Sequence, residues 1–83
     1  MNNKTSALEL TIKNLKPNER GIVKSIGNRG AIRRRLLDMG ITPNTEIIMK
    51  KAAPFGDPIE IRVRGYELSL RVAEAEQVVI ERS

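Results

Sequence analysis

The amino-acid sequence predicts a mainly β domain with one short helix, in which about five antiparallel strands bend into a small barrel. Three observations carry this. Apolar and polar residues alternate with the period of a half-buried strand, most clearly at Ile59, Ile61 and Val63 and again at Leu68, Leu70 and Val72. Only one segment, around Ile32–Met39, changes to helical spacing. Proline, glycine and asparagine interrupt the apolar runs often enough to keep every element short. At 83 residues the chain makes one small domain, and closing so short a sheet removes its edges economically.

Taken in order, residues 1–7 are polar and are expected to form a disordered tail, leaving 8–83 as the domain. Leu8, Leu10 and Ile12 alternate with Glu9 and Thr11, so a short strand or extended arm leads to Leu15. Lys16-Pro17-Asn18-Glu19 is a turn, with proline fixing its second position and asparagine tolerating a positive φ at its third. The device returns at Thr42-Pro43-Asn44-Thr45. Each turn feeds a β-branched run, Arg20–Ile26 and Thr45–Lys51, although the echo is too short to count as an internal repeat.

Gly27, Asn28 and Gly30 end the first of these strands and the helix follows, with Asn28 as its expected N-cap. At about 100° per residue Ile32, Leu36 and Met39 share one face while Arg33 and Arg34 share the other. Gly40 can take the left-handed conformation that closes a helix, Ile41 then packs back toward Leu36, and Pro43 forbids continuation. Leu37 falls between the two arginines on the face that should be wet. The plain reading tucks it under a neighbouring loop and pairs Asp38 with Arg34 or Arg35 at helical spacing. The sharper reading makes Arg33, Arg34 and Leu37 a partner-docking face, because arginine beside an apolar side chain is a common interface composition.

Ala52–Pro58 is a loop dense in turn residues, whose Phe55 is expected to fold back over the core. Pro54 and Phe55 are the other candidate partner-binding residues. The hairpin over Ile59–Val72 admits two registers, a two-residue turn with Arg62 opposite Glu67 or a four-residue turn with Glu60 opposite Arg71. Ala73–Gln77 reads as a single helical turn that delivers the chain into a last strand, Val78–Glu81. The predicted barrel is therefore of the SH3 type, with the helix lying against one end or side.

Composition narrows function. The formal charge is +5 and unevenly spread: residues 1–51 hold eleven Lys/Arg against four Asp/Glu, and 52–83 hold four against six. This imbalance points to an acidic partner, an anionic membrane surface or nucleic acid. The sequence has no histidine or cysteine, so the usual ligands of zinc, copper and iron–sulfur centres are missing and neither a metal site nor a cofactor is expected. No phosphate loop and no nucleophile–base pair suggests catalysis, so no catalytic residue is assigned. No run is long enough to span a membrane, and the N-terminus lacks an apolar signal core. A cytoplasmic protein without membrane insertion of its own is expected. With one Phe and one Tyr, the chain lacks the aromatic groove of a proline-rich-peptide reader and the stacking platform of a single-strand binder. A small basic barrel that binds RNA or DNA remains the alternative on charge.

Several short motifs, each weak alone, occur in a specific order: Leu15, Pro17 and Glu19 with Gly21 and Val23; Arg34-Arg35-Leu36 with Asp38-Met39-Gly40; Pro43 and Thr45; Ala53-Pro54 with Gly56-Asp57-Pro58; and Arg64-Gly65, Leu68, Leu70-Arg71 and Glu74-Ala75. Over Leu8–Glu81 the chain resembles the ferrous iron transport protein A (FeoA) family of bacterial SH3-like proteins. Asn18 and Asn44 stand where that family usually has glycine, the least costly change at a positive φ. The resemblance implies a small cytoplasmic accessory protein of iron uptake. It would act by protein–protein interaction, docking onto the membrane iron permease of the same system, ferrous iron transport protein B, which carries a GTPase domain. Self-association is left open. Gly40, Pro43, Gly65 and Leu70 are its structural motif residues. A related domain ends iron-dependent repressors, but this sequence has no helix-turn-helix, which favours the free-standing accessory.

Overall fold

The structure is a computed structural model that describes residues 10–27 and 30–83. The expected tail, the strand residue Leu8 and Asn28 lie outside the described residues, but the cap expected at Asn28 is corrected: the helix starts at Ala31 and Gly30 stands at its N-cap, with no side-chain cap bond. Six antiparallel strands form one sheet: β1 (Leu10–Thr11), β2 (Arg20–Ile26), β3 (Glu46–Ala52), β4 (Ile59–Val63), β5 (Tyr66–Leu70) and β6 (Val78–Arg82). Their order across the sheet is β1-β6-β2-β3-β4-β5. Helix α1 (Ala31–Asp38) lies between β2 and β3 in sequence, and a single turn, α2 (Val72–Ala75), precedes β6.

The first strand ends at Thr11, one residue earlier than its alternation suggests. The Asn14 Oδ1 accepts the Thr11 N–H at 2.9 Å, which folds Ile12–Asn14 into a 3-10 turn. Ile12 and Leu15, three residues apart, are thereby both buried.

The two Pro-Asn turns form as expected, with Asn18 at φ 73° and Asn44 at φ 74°. Each docks on the other's strand. The first exchanges hydrogen bonds with Met49 of β3, Asn18 N–H to Met49 C=O at 2.7 Å and Met49 N–H to Glu19 C=O at 2.9 Å; the second does so with Val23 of β2, at 2.8 and 2.9 Å. Gly21 pairs with Ile47 between them. One residue beyond each docked position the strand bulges, at Lys24 against β6 and at Lys50 against β4. The sequence echo is thus a local pseudo-twofold, whose bulges increase the twist that bends the sheet. Gly21 sits where a Cβ would meet Ile80 Cδ1 at 2.6 Å, so β2 and β6 can approach only over a residue without a side chain.

Helix α1 ends as its residues require. Gly40 has φ 96°, its N–H bonds the Leu37 carbonyl at 3.0 Å, and the Ile41 N–H bonds that of Leu36 at 3.1 Å. This is a Schellman closure. Leu36 is fully buried, with Ile32 and Met39 half-buried against the same core. That core lies inside the bent sheet and centres on Val23, Ile47, Ile61, Val63 and Val78.

Three expectations need correction or completion. The hairpin takes the two-residue turn, with Arg64 and Gly65 at φ 53° and 89° and Arg62 opposite Glu67, as in a type I′ turn. Phe55 does not cover the core and is 98% exposed. The turn from Ala53 to Gly56 closes on itself at 2.7 Å, and Ala53 N–H bonds the Pro58 carbonyl at 2.9 Å, so its tip points away from the sheet. Asp38 has no ion-pair partner among the described residues. Arg35 pairs instead with Glu74, at 3.1 Å, because Glu74 is buried and already oriented by the Arg71 N–H.

Candidate protein-docking surface

Most surface charges are paired. Ion pairs join Lys13 to Glu76, Arg20 to Glu46, Lys24 to Glu81, Arg35 to Glu74, Arg62 to Glu67, Arg71 to Asp57 and Arg82 to Glu19. Among the described residues this leaves Asp38 and Glu60 as unpaired acids, against Lys16, Arg33, Arg34, Lys50, Lys51 and Arg64. The positive balance of the sequence is thus concentrated in a few side chains, and two of them stand side by side on α1.

There, Gly30, Arg33, Arg34 and Leu37 line a shallow hollow of about 200 Å³. Helical spacing brings them together, since positions 30, 33, 34 and 37 follow one stripe. Arg33 is anchored, its Nη1 donating to the Ile26 carbonyl at 2.9 Å, which holds the helix start against the end of β2. Leu37 is half-buried against the core, so the plain and sharp readings of this residue both describe part of it. Arg34 is exposed. An apolar floor between two guanidinium groups suits an acidic segment that carries an apolar side chain.

Pro54 and Phe55 form a second patch. The hollow beside them, about 190 Å³, is lined by Lys51, Ala52, Ala53, Pro54, Pro58, Glu60 and Ser69 and shares no residue with the hollow on α1. The structure therefore presents the five candidate partner-binding residues as two groups.

The motif residues Gly40, Pro43 and Gly65 meet at one corner, tied by Arg64, which the sequence places in a motif with Gly65 but whose side-chain contacts it does not reveal. Arg64 Nε donates to the Gly40 carbonyl at 3.2 Å, and its Nη2 donates to the Thr42 and Thr45 hydroxyls at 2.9 and 3.1 Å. The same corner opens on a hollow of about 500 Å³, lined by Pro43, Asn44, Thr45, Glu46, Ile48, Arg62, Arg64 and Gly65. The available sequence signal was Arg64-Gly65 itself, since a two-residue hairpin demands a positive φ from both. Leu70 lies elsewhere, buried opposite Ile59.

Among the described residues no three of the acidic side chains cluster in a way that could hold a metal ion. No described helix is long and apolar enough to cross a membrane. One carboxyl is clearly perturbed: Glu19 is held below its ordinary range of 4.5, first by the Lys16 backbone N–H and then by the charges of Arg82 and Lys16.

The family model that matches this chain is the FeoA domain, over residues 10–82. The chain belongs to the FeoA domain family. A curated relative, the Fe(2+) transport protein A/Fe(2+) transporter FeoB fusion protein of Porphyromonas gingivalis, is 28% identical over 72 residues; the match spans 87% of this chain and only 8% of the fusion. The solution structure of an FeoA-like protein from Clostridium acetobutylicum is 38% identical with a TM-score of 0.83, covering 89% of this chain and 86% of that one. The crystal structure of Stenotrophomonas maltophilia FeoA complexed with zinc is 29% identical with a TM-score of 0.77, covering 87% and 89%. That protein is described as a prokaryotic SH3 domain protein, so the SH3-like barrel expected of an FeoA domain is the one found here. A manganese-dependent transcriptional repressor, 14% identical with a TM-score of 0.83 over 92% of this chain and 37% of its own, shares the fold alone.

Proposed function

We propose that this FeoA-family chain is a cytoplasmic accessory of bacterial ferrous iron uptake. It docks through the outer face of α1 onto the membrane iron permease, ferrous iron transport protein B. The observation that carries the reading is the fusion relative, in which an FeoA domain and the transporter are parts of one polypeptide. Covalent linkage substitutes for an encounter between separate chains by raising effective concentration. Physical support comes from α1, where Arg33 and Arg34 lack acidic partners among the described residues and flank the half-buried Leu37. The arrangement binds and positions; it offers no group for chemistry. Ferrous iron is the cargo of the system. With no histidine or cysteine in the sequence, the chain acts on the transporter without holding the ion.

The test is a binding measurement between this chain and the separated cytoplasmic domain of the transporter. Binding of the wild type, weakened at least about tenfold by Arg34→Glu or Leu37→Glu as for hot-spot residues and weakened by salt, is expected. Absence of wild-type binding sinks the reading. Normal binding by both variants moves the surface to Pro54 and Phe55, where Phe55→Ser then becomes the deciding variant.

A further inference from the structure

β5 is the last strand of the sheet, bonded to β4 on one side. The two-residue turn sets the parity of its free edge. Val63 and Tyr66 flank the turn and exchange ladder bonds, so Tyr66, Leu68 and Leu70 direct their N–H and C=O groups to β4 while Glu67 and Ser69 direct theirs outward. Among the described residues nothing bonds those outward groups. The usual protections of an edge are missing here as well. The strand Tyr-Glu-Leu-Ser-Leu has no proline, no lysine and no bulge. Its apolar face also runs past the last neighbour, since Leu70 is buried while Leu68 is half-buried and Tyr66 is 55% exposed.

We propose that β5 pairs antiparallel with β5 of a second copy of this chain, Leu68 facing Leu68 across a twofold axis. Side-chain and backbone accounting select both the occupant and the register. Sliding the strands so that Glu67 faces Glu67 opposes like charges. Sliding the other way sets Glu67 opposite Arg71, whose N–H is already given to Glu74 at 2.9 Å and whose chain is leaving the sheet for α2. With Leu68 on the axis, Glu67 faces Ser69 twice. Every outward N–H and C=O of the edge then finds a partner, as buried backbone requires. Tyr66 of each copy comes opposite Leu70 of the other. At that end the edge opens on a hollow of about 210 Å³ whose lining includes Arg35, Ser69, Leu70 and Glu74, which takes the ring. The strand is complementary to itself, the property a closed twofold interface needs.

A single strand pair is a small interface, so association is weak and is read by sedimentation of the full chain from about 10 μM to about 1 mM. The mean mass of the wild type should rise toward twice the monomer over this range. Ser69→Lys, which faces Glu67 across the axis, should shift the curve to lower concentration by several-fold at low salt. Ser69→Glu should shift it at least as far the other way. Because Ser69 also faces Glu60 on β4, the thermal midpoint of each variant is recorded, and amide exchange of the wild type gives an independent reading. The Glu67 and Ser69 amides should slow as concentration rises, while Leu68, already bonded to β4, should not change. A wild type that stays monomeric throughout overturns the proposal. So does a Ser69→Lys that weakens association, or concentration-dependent protection confined to another strand.

Discussion

Arg35 and Glu74 meet at 3.1 Å across the gap between α1 and α2, the carboxylate being nearly buried and the guanidinium largely exposed. The two partners are therefore not equivalent. Removing Arg35 leaves Glu74 still accepting the Arg71 N–H at 2.9 Å. Removing Glu74 frees both donors and opens the start of α2. Glu74→Ala should cost about 1.5–3 kcal/mol, as for a buried charge-assisted hydrogen bond, and Arg35→Ala under about 1 kcal/mol, as for a mostly exposed ion pair. Urea unfolding midpoints compare them directly, and equal losses would contradict the assignment.

Arg64 predicts a different pattern. Its backbone adopts φ 53°, which is costly for a residue with a Cβ, while its side chain ties Gly40, Thr42 and Thr45. Arg64→Ala keeps the strain and loses the ties, so it should destabilise by about 1–3 kcal/mol. Arg64→Gly loses the ties but relieves the strain, and its midpoint should lie between those of Arg64→Ala and the wild type. An Arg64→Gly protein less stable than Arg64→Ala would show that the turn does not need its left-handed residue.

Arg33 and Arg34 of α1 should separate in stability. Arg33→Glu removes the bond to the Ile26 carbonyl and should cost about 1 kcal/mol, whereas Arg34→Glu should stay within about 0.5 kcal/mol of the wild type. A binding defect of Arg34→Glu is consequently the cleaner evidence for docking. Phe55→Ser should leave the midpoint unchanged, since the ring is 98% exposed.

Glu19 gives a pH dependence with a definite sign. Its folded pKa lies below 4.5, so between the two values the unfolded chain binds more protons and stability falls as pH falls. The contribution is present in full above 4.5 and is lost through the lowered folded pKa. Denaturation of wild type and Glu19→Gln across pH 3–6 should show a gap that is widest at the upper end and shrinks with acid. A gap that widens with acid would reverse the assignment.

Where one face of a strand is buried, alternation was a fair guide: Arg20–Ile26 stands where it put the strand, and Gly40 ends the helix as its chemistry dictates. The hairpin expected over Ile59–Val72, however, stops at Leu70, because the Arg71 N–H turns to Glu74 and Val72 opens α2. The failures share a cause. Ile12 left its strand because a side chain three residues away captured the Thr11 N–H, a local competition that alternation does not register. The hairpin register, which alternation left open, is the one that places Arg64 and Gly65 at positive φ in the turn, and the ties from Arg64 to Gly40, Thr42 and Thr45 that accompany it are contacts no local pattern contains. In the candidate site, the stripe of Arg33, Arg34 and Leu37 followed from helical spacing. The bond from Arg33 to Ile26 did not, because it depends on how the helix is set against the strand.

The docking of Asn44 and Thr45 on Val23 also separates the chain between Ile26 and Thr42 from the barrel that supports it. The excursion leaves the sheet from β2 and returns against the same strand, so both its ends are fastened at one place. Because the entropy of closing such a loop rises only slowly with length, a change in its length should cost the barrel little, and what ties the segment down is its contacts, Leu36 and Ile41 in the core and the Gly40 carbonyl on Arg64. Another family member's helix, longer or differently charged, should then be accepted between these fastenings with the strand register unchanged, provided that apolar residues stand in the core where Leu36 and Ile41 do.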